Sequence, residues 1–159
     1  SQSMVMLYRP STNKIIWHDT GKFYHQHDVD ILDESRISIL NNNSKFLYNG
    51  DVVDGHNEVL IYDFSKDEYI PYLSASLILN DVRTVGQGRS EILPNGDLFF
   101  EETEFGRTLY FNSDGSLRWT HLNRSSNGEI HWVGWSRILT SEEDLNKVRK
   151  FLDTKVENL

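Results

Sequence analysis

The sequence predicts an all-β chain: a partial β-propeller, with about two full blades of four antiparallel strands plus flanking strands, followed by a C-terminal helix. Three observations predict it. A strand–turn–strand unit recurs at 6–17, 59–72 and 108–119, each with an apolar-aromatic strand, a polar turn and a second strand ending on an aromatic. A second hairpin pattern recurs at 29–40 and 90–100, between those units. The two patterns alternate in the same phase, which repeated blades require and a β-sandwich does not.

Taken in order, residues 4–18 supply the last two strands of a preceding unit, turned by Ser11, Thr12 and Asn13. A turn at Gly21 leads into 23–28, read as the start of a strand, so that His25 and His27 share one face while Gln26 and Asp28 share the other. Residues 26–78 hold four strands in meander order. Within them 41–57 is an insertion whose Asn41, Asn42 and Asn43 mark irregular, exposed backbone, placed as the lid or rim of a pocket. Residues 89–122 hold four more strands, with Pro94-Asn95-Gly96 as a strong hairpin signal. Residues 131–139 read as one further strand.

After Thr140 the pattern becomes helical. Thr140 or Ser141 caps it, and Glu142, Glu143 and Asp144 suit the positive end of the helix dipole. Leu145, Val148, Phe151 and Leu152 fall on one face at three- and four-residue spacing. The expected division is a partial propeller at 1–140 and an amphipathic helix at 141–159 packing on it.

Composition narrows the function. The net charge is −8 without a Lys/Arg block, which argues against nucleic acid as a partner. No run approaches the length of an apolar membrane span. The absence of cysteine removes thiolate catalysis and Cys-zinc sites together. Repeats of this length give fewer than three blades in 159 residues, whereas closed propellers typically have about 4–8. The chain is therefore expected to be the carboxy-terminal part of a longer propeller, with Ser1-Gln2-Ser3 as a cut end. Self-association, or association with the missing blades, is the other way to cover its strand edges.

Chemistry concentrates at His25-Gln26-His27-Asp28. A neutral imidazole is a nucleophile and base near neutral pH, and the partner of one ring nitrogen decides which tautomer is present. Arg83 and Arg89 stand at strand ends, where propeller loops face the central channel, and a guanidinium fork suits oxyanions. Two other readings stay open. His25 and His27 could hold a metal with His18 or Asp28 in support. Trp17, Trp119, Trp132 and Trp135 suit blade packing or the aromatic surface of a non-catalytic binding or scaffold module.

Ile15-Ile16-Trp17, Gly21, Phe23, Gln26-His27-Asp28 and the Ile-Ser-Ile-Leu-Asn-Asn-Asn strand at 37–43 together resemble the bacterial arylsulfotransferase family. Arg89-Ser90-Glu91-Ile92-Leu93-Pro94-Asn95-Gly96-Asp97 is similar to that family's Leu-Pro-Asn-Gly strand pair, and the resemblance covers about 5–140. It implies a propeller that moves a sulfuryl group from a phenolic sulfate to a phenol acceptor with no nucleotide donor and no cofactor. By residue match His27 becomes the transient carrier; from their charge and position Arg89 and Arg83 are expected as its catalytic cations, with His25, Gln26 and Asn43 around the substrate. The family's His-x-Asn and Ser-x-Arg elements would precede residue 1, so activity is expected to draw on the missing blades. A periplasmic or secreted setting follows from the resemblance alone.

Overall fold

Period-two alternation decides how this chain stacks its sheets. The computed structural model describes residues 3–47 and 50–156. Residues 1–2 of the expected cut end, 48–49 of the insertion and 157–159 of the helical tail lie outside the described residues. In order, the strands are β1 (Met4–Arg9), β2 (Lys14–Thr20), β3 (Asp28–Ile31), β4 (Arg36–Asn41), β5 (Ser44–Leu47), β6 (Gly50–Val53), β7 (Glu58–Asp63) and β8 (Glu68–Tyr72). Helix α1 (Ser74–Leu79) follows, then β9 (Arg89–Ile92), β10 (Leu98–Glu102), β11 (Arg107–Phe111), β12 (Leu117–Leu122) and helix α2 (Glu142–Val156).

The sheets are antiparallel throughout: β1–β2, β3–β4–β7–β8, β5–β6 and β9–β10–β11–β12. The two four-stranded sheets are propeller-like blades, and among the described residues no barrel closes. Their central strands are apolar on both faces because each blade is covered on both sides. On β4 and β7, Ile37, Ile39, Leu60 and Tyr62 pack with Val5 and Phe23 toward the β1–β2 hairpin. The alternate residues Leu40 and Val59 pack the other way, against Leu98, Phe100, Leu109 and Phe111 of the second blade. Phe99 and Tyr110 then turn to that blade's far side, where they meet Leu93 and Ile138. Trp17 stacks on Tyr62 and Trp119 on Tyr110, so these two tryptophans act in blade packing.

The three recurring hairpins are all present, as β1–β2, β7–β8 and β11–β12, and β3–β4 and β9–β10 fill the places between them. Four readings of the sequence need correction. The strand expected over 23–28 begins only at Asp28, because His25 sits at φ 58 and breaks the extended backbone. His25 and His27 are thus not held on one strand face. The meander assigned to 26–78 ends at Tyr72, since Leu77 of α1 turns into the core between the blades. The insertion 41–57 is not merely exposed loop: it contains the β5–β6 hairpin, and Asn41, Asn42, Ser44 and Asn57 are buried. Residues 131–139 form no strand, only an irregular strap that follows the isolated Arg124–Ile130 bridge. Trp135 at φ 59 interrupts any ladder there.

Ser141 caps α2 as expected, its hydroxyl accepting from the Asp144 N–H, with three carboxylates in the first turn. Val148, Phe151 and Leu152 on its apolar side are exposed. No helix among the described residues is long and apolar enough to cross a membrane.

Candidate functional site

Strands β3 and β9 are the edge strands of the two blades, and they lie side by side. The Ser90 N–H donates across the gap to Asp28 Oδ2 at 3.1 Å. This bond brings the residue before β3 next to the residue before β9. His27 and Gly88 meet there, with His27 Nδ1 2.9 Å from the Gly88 carbonyl oxygen. A carbonyl only accepts, so Nδ1 carries the hydrogen in the neutral ring and Nε2 keeps the lone pair. Asp28 therefore does not orient the imidazole; a backbone carbonyl does. The His27 N–H donates to the Leu40 carbonyl, which extends the β3–β4 ladder by one residue and fixes the ring's base.

The loop that presents Gly88 is pinned by buried amides from the insertion. Asn57 Oδ1 accepts from the Thr84 N–H at 2.5 Å, and its Nδ2 donates to the Asn42 and Thr84 carbonyls. Asn42 Nδ2 donates to the Gln87 carbonyl at 2.5 Å, one residue before Gly88. Ser44 Oγ donates to the Val85 carbonyl. Glu104 takes the Thr84 hydroxyl and the Gly86 N–H; burial alone would raise its carboxyl, but these donors bring it below its ordinary value. Asn57→Ala would strand buried backbone groups at both ends of this bracket, so it should lower unfolding free energy by about 2 kcal/mol in urea titration.

The cleft beside His27 holds about 50 Å³ and is walled by Asp28, Arg89, Glu101, Gly134 and Trp135 among others. Arg89 is the cation of this cleft. Its Nη1 donates to the Ser136 carbonyl at 2.7 Å, and it faces Asp28 and Glu91 at 3.8 and 3.6 Å. Glu101 is buried on β10, where it accepts from the Thr103 hydroxyl and the Ser136 N–H. Glu101 and Arg89 together clamp both backbone groups of Ser136, and the Val133 N–H reaches the Thr103 carbonyl. The strap is thereby laid against the mouth of the cleft.

Burial pushes the Asp28 carboxyl above its ordinary value, against the lowering pull of the Ser90 N–H and the Arg89 charge. Asp30 is raised too, first by burial and then by the charge of Asp28. A carboxylate with a raised folded-state pKa contributes stability at pH below about 4, and that contribution is lost as pH rises through its folded value. Asp28→Asn stays neutral throughout. Its stability relative to the wild type should climb as pH rises from about 3 and level off above the folded value, read by urea midpoints across that range.

The structure separates the residues expected at the site. His27 and Arg89 line one cleft. Arg83 lies outside it, with Nε on Asp81 at 2.6 Å. Gln26 turns away, its Nε2 donating to the Met4 carbonyl. Asn43 braces the insertion through the Asp54 and His56 carbonyls. His25 is half-buried and does not line the cleft. Among the described residues no three His, Cys, Asp or Glu side chains are grouped to hold a metal. Gly88, Asn57 and Glu101 were missed by sequence reasoning. The Gly-Gln-Gly before Arg89 was a signal for the first; nothing local marks the other two. Trp135 was read only as a blade-packing or binding-surface tryptophan, not as a wall of the His27 cleft.

No curated protein and no solved structure matches this chain. A family model described as arylsulfotransferase (ASST) matches residues 1–124, which include both blades and His27 with Gly88 and Arg89. The chain belongs to the arylsulfotransferase family.

Proposed function

We propose that His27 is the carrier in a two-step sulfuryl transfer from a phenolic sulfate ester to a phenol. The observation that supports this reading is the Nδ1–Gly88 contact, which leaves Nε2 as the nucleophilic nitrogen on a ring that lines the cleft holding Arg89. In the first step the Nε2 lone pair forms a bond to sulfur while the bond from sulfur to the aryl oxygen breaks, and the phenolate leaves to take a proton from water. In the second step the acceptor phenol oxygen bonds to sulfur, the N–S bond breaks, and the phenol proton goes to solvent. The ring then returns to its starting tautomer.

Charge in such a transfer spreads over the peripheral sulfuryl oxygens. Arg89 supplies the positive charge beside them, while Ser136, Asp28 and Glu91 hold its guanidinium in place. The cleft walls come from both blades, so sequestration depends on the inter-blade core as much as on the site itself. Arg83, paired with Asp81 outside the cleft, takes no part in this step. Activity is assayed with 4-nitrophenyl sulfate as donor and phenol as acceptor. Parallel lines in double-reciprocal plots, and an intact-mass gain of one sulfuryl group on donor alone, are the expected results. Intersecting lines with no mass gain would remove the covalent intermediate.

A further inference from the structure

We infer that Trp135 is the platform on which the aromatic ring of donor and acceptor stacks. This rests on the transfer reading of His27 and assigns the part of the substrate that the cleft itself has no room for. The cleft beside His27 measures about 50 Å³. One water needs about 10–15 Å³ of such space, so the cleft holds roughly four, a volume suited to the terminal oxygens of a sulfuryl group and not to a ring as well. The ring must therefore lie at the mouth.

Trp135 stands at that mouth. It lines the same cleft as His27 and Arg89 and is 79% exposed. An indole this open is not held by core packing, and its face is free to take a ring. Its backbone is left-handed, at φ 59, a region a bulky side chain seldom adopts. The conformation is held from both sides: the Val133 N–H bonds to the Thr103 carbonyl before it, and both backbone groups of Ser136 after it are clamped by Glu101 and Arg89. The same Arg89 thus ties the platform to the cation of the cleft. Other exposed aromatics, Tyr24 and Trp132, do not line the cleft. Trp135 lies beyond the 1–124 that match the family model. An exposed indole face offers a planar ring a surface on which to stack.

The test is calorimetric binding of 4-nitrophenol and of inorganic sulfate to wild-type protein, Trp135→Ala and Trp135→Phe, with thermal melts as a folding control. Trp135→Ala should weaken 4-nitrophenol about tenfold, Trp135→Phe by less than about threefold, and neither should change sulfate binding or the melt. Unchanged 4-nitrophenol affinity in Trp135→Ala, or no 4-nitrophenol binding to wild type, overturns the platform. The phenol titration involves no turnover. Tenfold weakening in a protein that transfers no sulfuryl group would support the platform while removing the transfer reading. Aryl transfer with the same kcat/KM in wild type and Trp135→Ala would remove the platform alone.

Discussion

His27→Ala is expected to reduce sulfuryl transfer from 4-nitrophenyl sulfate by at least about a thousandfold, because it removes the imidazole whose Nε2 forms the covalent intermediate. Stability should hardly change. His27 is exposed, and among the described residues its ring bonds to the Gly88 carbonyl alone, so its removal costs about 1 kcal/mol or less. His27→Gln sharpens the test, since the amide keeps a donor toward Gly88 but has no nucleophilic nitrogen. It should melt like the wild type and be as inactive as the alanine variant. The intact-mass gain seen with donor alone should vanish in both. Transfer that survives either change would move the chemistry to another residue, and Arg89 would then be left as a strap anchor only.

The blades were legible because their signal is local. Ile37-Ser38-Ile39-Leu40 and Leu98-Phe99-Phe100 carry an apolar side chain on nearly every position, as strands covered on both faces must. Turns such as Pro94-Asn95-Gly96 mark where each hairpin closes. His27 and Arg89 stood out as residue types; His27 directly precedes β3 and Arg89 begins β9. What stayed hidden is carried by distance in sequence. The partner of His27 Nδ1 is 61 residues away and is a backbone atom, which no residue type announces. Asn57 lies 27 residues from the Thr84 it holds, so its asparagine chemistry reads as loop polarity until the fold buries it. The strap 131–139 misled for the opposite reason. His131-Trp132-Val133-Gly134-Trp135 has strand composition, yet its N–H groups go singly to the Asn123 carbonyl, the Thr103 carbonyl and the Glu101 carboxylate rather than to a ladder. Composition favours a strand there only if an edge is available to pair with, and the strap pairs with none.

Gly88→Ala should damage both the fold and the imidazole, and the two effects are separable. Gly88 sits at φ +107, where a side chain is strained, and an added Cβ would lie 2.4 Å from Thr84 Cγ2 and 3.0 Å from the Glu101 carbonyl oxygen. Neither neighbour can retreat easily. Thr84 is buried and held by Asn57 and Glu104, and Glu101 is paired in the β9–β10–β11 ladder. Backbone strain and overpacking together should cost about 3 kcal/mol. The loop must shift, and the carbonyl that holds Nδ1–H moves with it. Nitrogen NMR of the His27 ring should then change from a single Nδ1–H form to a mixture of tautomers, and kcat should fall while the affinity for inorganic sulfate is kept. Thr84→Ser tests the cause. It removes the methyl that meets the new Cβ but keeps the hydroxyl that Glu104 accepts, so in the Gly88→Ala background it should restore part of the lost stability and part of the Nδ1–H form. A Gly88→Ala protein that melts lower but keeps a pure Nδ1–H ring would show that the carbonyl does not set the tautomer. The nucleophile would then owe its form to something other than the loop that the buried asparagines hold.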